Sequence, residues 1–179
     1  MPETAIISGG ARGIGRCLVR RFLERGYRVF VLDIDEEELK HATGTHLKKY
    51  SDSGALGSAP DAAGPCIVHV GSFRALQSDP NQAGLLGLMH SMAISLQPQG
   101  IRVNVIAPGR IKVAHGSREG DEKGTPWAEL NEDKDAEDHP TNRAGRPEDI
   151  VDAAEYLVDA GFVTGQDTTV DGGALVKKS

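Results

Sequence analysis

Residues 8–15 read Ser-Gly-Gly-Ala-Arg-Gly-Ile-Gly and lie between an apolar run, Ala5-Ile6-Ile7, and an amphipathic stretch that opens at Arg16. Glycines therefore punctuate a strand-to-helix turn. Glycine allows backbone angles closed to other residues, lets the main chain approach a pyrophosphate, and packs a helix close to a strand. The N-terminus of the following helix offers free N–H groups and a partial positive charge to phosphate oxygens. The spacing is Gly9-x3-Gly13-x-Gly15, a variant of the G-x-G-x-x-G turn.

The next stretch extends the pattern. Arg28-Val-Phe-Val-Leu-Asp33 is an apolar strand ending in an acid, and Asp33 lies 18 residues past Gly15. That is close to the roughly 20 residues at which a carboxylate accepts the hydroxyls of an adenosine ribose. An acid there repels a 2′-phosphate, so NAD is expected over NADP, with Arg12 in the turn as the one cation that would tolerate extra phosphate charge. The alternative role for Asp33 is to cap a helix starting near Glu36.

A chain of 179 residues supplies one good core, and 39% hydrophobic with 26% charged residues is ordinary for a globular domain. No apolar run approaches the ~18 residues of a membrane span, and the N-terminus runs straight into a strand without an export segment. The expected compartment is the cytoplasm. Cys17 and Cys66 show no ligand-like spacing and read as small core residues. His69, His90 and His115 form no zinc-ligand pattern, so no metal is expected. The net charge of −6 argues against nucleic acid as the main partner.

That charge is local. Between Ser117 and His139 nine acids face three bases, giving −6, and the rest of the chain is neutral. Residues 115–142, with several glycines and one tryptophan, Trp127, are expected to form an acidic surface loop. It reads either as a solvated, mobile excursion or as a lid over a substrate cleft.

Elsewhere strands and helices alternate. Strands are expected at 4–8, 28–32, 66–71, 101–106 and 168–170, and helices at 12–25, 36–50, 83–97 and 147–159, with a Ser/Gly/Ala/Pro-rich spacer at 51–65. Such alternation implies an α/β fold with a parallel sheet and helices on both faces, in a single domain over 1–179.

Five stretches carry a resemblance in the right order: Ser8–Gly15, Leu32-Asp33, Ile101-Arg-Val-Asn-Val-Ile-Ala-Pro-Gly109, Arg143-Ala-Gly-Arg-Pro-Glu-Asp-Ile150, and Thr164-Gly-Gln-Asp-Thr-Thr-Val-Asp-Gly-Gly173. Together they resemble the short-chain dehydrogenase/reductase family. The resemblance implies a Rossmann-like, doubly wound parallel sheet and hydride transfer between a nicotinamide cofactor and an alcohol or carbonyl. It implies that Gly9, Arg12, Gly13, Ile14 and Gly15 hold the pyrophosphate, Asp33 and Ile34 the adenosine, and Pro108, Gly109 and Ile111 the nicotinamide side. Where the family has a cofactor-contacting threonine shortly after Ile111, this chain has Val113.

The chemistry departs further. Family enzymes bind the substrate oxygen with a serine and move the proton with the tyrosine of a Tyr-x-x-x-Lys motif. The lysine is needed because a free phenol titrates near pH ~10. Ser72 matches the serine, and the expected place of the tyrosine falls at Leu85. The three tyrosines, Tyr27, Tyr50 and Tyr156, are followed four residues later by Val31, Gly54 and Ala160. No Tyr-x-x-x-Lys exists, and Lys112 has no tyrosine partner in sequence. Set against the family pattern, Gln82-Ala83-Gly84-Leu85 implies that a short segment before Ala83, the one bearing both residues, is missing.

The spacer at 51–65 likewise stands where the family has two strand-helix units, its strands 3 and 4. The sheet is thus expected to shrink to about five strands, with Cys66–Gly71 closing against the first strand in the order 2-1-5-6-7. The apolar helix 83–97 loses a neighbour and should expose an apolar face, so a homo-oligomer is expected. Three readings follow: an NAD-dependent oxidoreductase with its acid supplied otherwise, a catalytically silent cofactor-binding or assembly module, and an internally shortened form of an active enzyme.

Overall fold

The computed structural model describes residues 3–48, 64–72, 80–114, 116–124 and 126–177. Most of the 51–65 spacer, together with Tyr50 and His115, lies outside the described residues. The chain gathers into two compact units: Met1–Pro60 with Lys112–Leu130 and Arg146–Val151, and Asp61–Ile111 with Asn131–Gly145 and Asp152–Ser179.

In the first unit, β1 (Thr4–Ser8) and β2 (Arg28–Leu32) pair in parallel, with Thr4 opposite Arg28 and Ser8 opposite Leu32. Helix α1 (Gly13–Glu24) connects them, and α2 (Glu36–His41) follows β2. Strand side chains alternate between faces. One face packs Ile7, Val29 and Val31 against Val19 and Leu23 of α1 and against Ala42 and Leu47 beyond α2. On the other face Ile6, Phe30 and Leu32 are each more than half exposed. The helix expected over 36–50 is regular only to His41, after which Ala42–His46 widen into a π-helical turn.

In the second unit, β3 (Cys66–Val70), β4 (Arg102–Pro108) and β5 (Asp167–Val170) form a parallel sheet in that order. Helix α3 (Pro80–Ser95) runs before β4 and seats Met89 and its apolar neighbours on Ile67, Val103 and Val105. Leu88 and Ile94 on the same helix are exposed, as a helix apolar on all sides leaves any face that no described element covers.

Every residue of β4 is buried, as expected of a central parallel strand. Its two polar side chains are both satisfied. Arg102 donates to four carbonyls at the end of helix α6 (Pro147–Asp159) and just beyond it: Leu157 at 2.6 Å, Val158 at 2.7 Å, Ala160 at 3.0 Å and Val163 at 3.2 Å. Asn104 donates to the Val163 carbonyl at 3.0 Å and accepts from the Gln166 N–H at 3.1 Å. The buried guanidinium thus meets the negative end of a helix in place of a carboxylate.

Among the described residues the strands make two sheets, β1-β2 and β3-β4-β5, in place of the expected order 2-1-5-6-7: no ladder joins the first strand to Cys66–Val70. Each sheet packs on its own helix layer, α1 on one and α3 on the other. An intervening strand carries the hydrogen-bonding groups that join its two neighbours, and without one no ladder connects them.

The acidic segment is also more regular than expected. It folds as α4 (Arg118–Lys123), a 3-10 turn (Trp127–Leu130) and α5 (Asp133–Asp138). Ser117 Oγ caps α4 by accepting from the Gly120 N–H at 3.1 Å, and Gly124 ends it at φ +63°. Acids concentrate in the first turns of α4 and α5, where the helix dipole favours them. A last helix, α7 (Ala174–Lys177), follows β5.

Arg102→Leu should lower the unfolding free energy by about 2–4 kcal/mol, because it strands the carbonyls that end α6. Urea denaturation reads this directly, and a midpoint equal to the wild-type value would contradict the capping role.

Candidate functional site

The sequence-predicted residues fall into two groups, one in each unit. In the first unit the glycine turn is pinned to the end of β2. Gly9 and Gly10 donate their N–H groups to the Leu32 carbonyl at 2.7 and 3.3 Å. Ala11 N–H donates to Asp33 Oδ2 at 2.9 Å, and Asp35 N–H to Asp33 Oδ1 at 3.0 Å. Both carboxylate oxygens are thus held by the backbone. The Asp35 and Ala11 amides, in that order, hold the Asp33 carboxyl below its ordinary value of 3.8.

The cap of α2 is Asp35, whose Oδ1 accepts from the Glu38 N–H at 3.1 Å. The helix-capping alternative for Asp33 therefore falls away. Ile34 beside it is fully exposed. Arg12, half-exposed, directs its guanidinium to Asp35 at 3.2 Å.

The steric demand for glycine is severe at Gly15, where a Cβ would lie 1.9 Å from the Gly9 carbonyl oxygen. Gly9 and Gly13 adopt φ of +71° and +56°, the left-handed region. Helix α1 opens at Gly13 with no acid in its first turn and no side-chain cap. This is the cradle a pyrophosphate requires: close backbone, no Cβ, and a helix N-terminus.

Cys17, one turn further along α1, is excluded as a nucleophile. Burial and the neighbouring Glu148 carboxylate push its thiol up to about 12. At neutral pH it is fully protonated.

In the second unit Pro108 ends β4, and Gly109 donates to the Val170 carbonyl at 2.9 Å. A Cβ on Gly109 would lie 2.7 Å from Cβ of Asp171. Ile111 bridges in parallel to Gly145, whose N–H donates to the Arg110 carbonyl at 2.9 Å. Ser72 follows β3, where Gly71 donates to the Ile106 carbonyl at 2.8 Å. Ser72, Pro108, Gly109 and Ile111 are thus all carried at or just beyond the C-terminal ends of adjacent strands, where open parallel sheets place their ligand sites.

Sequence reasoning did not find the cluster that supports this end. Arg110 Nε lies 3.1 Å from Oδ1 of the fully buried Asp135, and Asp135 Oδ2 accepts from the Glu132 N–H at 2.8 Å. His139, also buried, places Nδ1 2.8 Å from the Asp135 carbonyl. The available signal was Asp135 at the third position after Glu132, the spacing at which an acid reaches back to the start of a helix. Asp171 was legible only as part of a turn, yet its carboxylate accepts from the Gly173 and Leu175 N–H groups at 2.9 and 2.7 Å and starts α7. Among the described residues no cluster of three or more His, Cys, Asp or Glu is placed to hold a metal ion, and no helix is long and apolar enough to cross a membrane.

Residues 66–174 match the family described as enoyl-(acyl carrier protein) reductase, and residues 3–63 match that of the short chain dehydrogenases. The chain belongs to the short-chain dehydrogenase family. This dehydrogenase-family chain is 37% identical to an uncharacterized oxidoreductase of Thermotoga maritima, with 98% of this chain and 96% of that protein covered. The alignment runs over 251 positions against a chain of 179 residues, so at least 72 positions of the alignment stand opposite gaps here. The internally shortened form read from the motifs fits this difference in length.

Among solved structures, an oxidoreductase of the family from Burkholderia thailandensis superposes with a TM-score of 0.76 at 23% identity, covering 98% of this chain and 94% of its own. A 3-oxoacyl-[acyl-carrier protein] reductase from Brucella melitensis, solved with bound NAD, gives 0.70 at 21% identity over 96% and 90%. These likenesses fix the fold of the short-chain dehydrogenase, and the family is one that binds nicotinamide dinucleotides.

Gly15→Ala should cost about 1–3 kcal/mol of stability, as overpacking against rigid backbone does. Thermal unfolding measures it, and a substitution without effect would mean that the close approach at Gly9 is not maintained.

Proposed function

We propose that this chain is an NAD(H)-binding short-chain dehydrogenase, a single shortened Rossmann-like domain built for hydride exchange between the nicotinamide and an alcohol or carbonyl. The observation that carries the reading is the glycine cradle fastened by Asp33. When bound, the nicotinamide ring supplies the hydride chemistry. The chain's own residues bind and orient. Gly9, Arg12, Gly13, Ile14 and Gly15 present main chain and charge to the pyrophosphate. Asp33, with its backbone-held carboxylate, takes the ribose hydroxyls, and Ile34 offers an exposed apolar side chain to the adenine. Pro108, Gly109 and Ile111 take the nicotinamide side.

Asp33 favours NAD over NADP by charge. The one cation in the turn, Arg12, already faces Asp35 at 3.2 Å, which weakens its attraction for a 2′-phosphate. Ser72 is the hydrogen-bond donor to the substrate oxygen. Serine alone does not transfer the proton at neutral pH.

The absence of any Tyr-x-x-x-Lys among the 179 residues favours a second reading, a catalytically silent module that binds cofactor without turning it over. Calorimetric titration with NADH and NADPH, followed by hydride-transfer assays over ketones and secondary alcohols, separates the two. NADH should bind at least tenfold more tightly than NADPH, a difference of about 1.4 kcal/mol. Asp33→Ala should narrow that preference while weakening NADH. Turnover abolished by Ser72→Ala supports the enzyme, binding without turnover supports the module, and no binding by the wild-type chain sinks both.

A homo-oligomer would cover Leu88 and Ile94 on α3. Sedimentation should give a species larger than 19.0 kDa, and Ile94→Lys should shift it toward the monomer.

A further inference from the structure

The geometry points to an internal competitor for the nucleotide cradle: residues 112–114 and 116–124 belong to a strap that occupies the donor at the head of α1 and is latched there by Asp121. The inference rests on the cofactor reading above and concerns what must move before that cradle is filled.

Two independent sets of contacts carry it, both within the first unit. The first lies at the glycine turn itself. The N–H of Gly13, the first residue of α1, donates to the carbonyl oxygen of Gly116 at 2.7 Å. That carbonyl reaches the turn because Gly116 has no side chain: a Cβ there would lie 3.2 Å from both N and Cα of Gly13. Val113 packs from the same strap, its Cβ 3.3 Å from where a Cβ on Gly13 would stand, and its carbonyl accepts from the Gly116 N–H at 2.9 Å. A carbonyl oxygen thus sits on a helix-head donor suited to a phosphate oxygen.

The second set lies along α4. Asp121 accepts from both terminal nitrogens of Arg16, Nη1 at 2.7 Å and Nη2 at 3.0 Å. This bidentate, charge-assisted pairing is the strong form of the interaction, and the Arg16 side chain is almost wholly buried. His41 Nε2 lies 2.8 Å from the same carboxylate and His46 Nδ1 3.9 Å from it. Burial alone would raise the Asp121 carboxyl, but the Arg16 and His41 hydrogen bonds and the charge of Arg16 outweigh it and leave it below its ordinary value. Arg118 adds a third tie, its N–H donating to Glu38 at 3.1 Å and its guanidinium reaching Glu37 at 3.3 Å. Arg16 stands on the helix that forms the cradle, three residues from Gly13. A strap fastened to it is held over the turn.

Asp121→Asn tests the latch by removing charge while keeping shape. Gly116→Ala tests the carbonyl contact separately and leaves Asp121 intact should the first variant fold poorly. Hydrogen exchange on the cofactor-free proteins reads the strap without reference to activity. In the wild type the Gly13 and Gly124 amides should be protected, and either variant should lose at least tenfold of that protection at Gly13. NADH titration by calorimetry should then show an affinity raised about tenfold in the variants, and NADH added to the wild type should deprotect Gly124 and shift Trp127 emission. A variant with a loosened strap and an unchanged or weaker NADH affinity overturns the competitor while leaving the cofactor reading intact. A Gly13 amide that exchanges freely in the wild type overturns it without any ligand. Absence of NADH binding in every protein overturns both.

Discussion

A Cβ on Gly15 would stand 1.9 Å from the carbonyl oxygen of Gly9, and much of the first unit follows from that close approach. It lets α1 leave the turn at once, so that Val19 and Leu23 reach Ile7, Val29 and Val31 on the inner face of β1 and β2. With α1 in place, the Gly9 and Gly10 amides fall on the Leu32 carbonyl and the Ala11 amide on Asp33. Turn, helix and second strand are therefore one piece of geometry. Asp33 is part of that piece, a carboxylate whose orientation is set by two amides before any ligand arrives.

The second unit depends on a different device. A strand buried on both faces tolerates polar side chains only when each finds its partners within the protein. Arg102 and Asn104 do so by reaching the carbonyls that end α6 and the stretch after it, which joins strand, helix and the approach to β5. The cost of burying a guanidinium is offset by a helix end that would otherwise carry unsatisfied acceptors. That exchange anchors the start of β4 to the end of α6 and the stretch after it.

What was legible in the sequence was local. The glycine turn, the acid at the end of β2 and the places of the strands all rest on short-range chemistry, and the strands lie within about two residues of their expected bounds. Sheet pairing was not legible, because the partner of an edge strand is chosen by long-range geometry: the first strand and Cys66–Val70 read as neighbours and belong to separate sheets. The acidic segment read as a loop because its charge hid its caps, Ser117 before one helix and Gly124 after it. In the candidate site, the backbone grip on Asp33 and the pairing of Arg16 with Asp121, 105 positions apart, carry no signal in any window of sequence.

The distribution of losses along the chain bears on function. On the proposed reading, cofactor binding rests on Gly9–Gly15, Asp33 and Pro108–Ile111, at or just beyond the ends of strands, and each of those stretches is present in the chain. The resemblance assigns proton transfer to a Tyr-x-x-x-Lys motif whose two side chains lie four residues apart, so one short internal gap would remove both together. Binding machinery of the first kind survives loss of interior segments as long as each turn keeps its own helix, and α1 and β4 keep theirs. On that reading the chain keeps a nucleotide cradle without the acid–base pair, and the proposed strap at Gly13 governs whether that cradle is open.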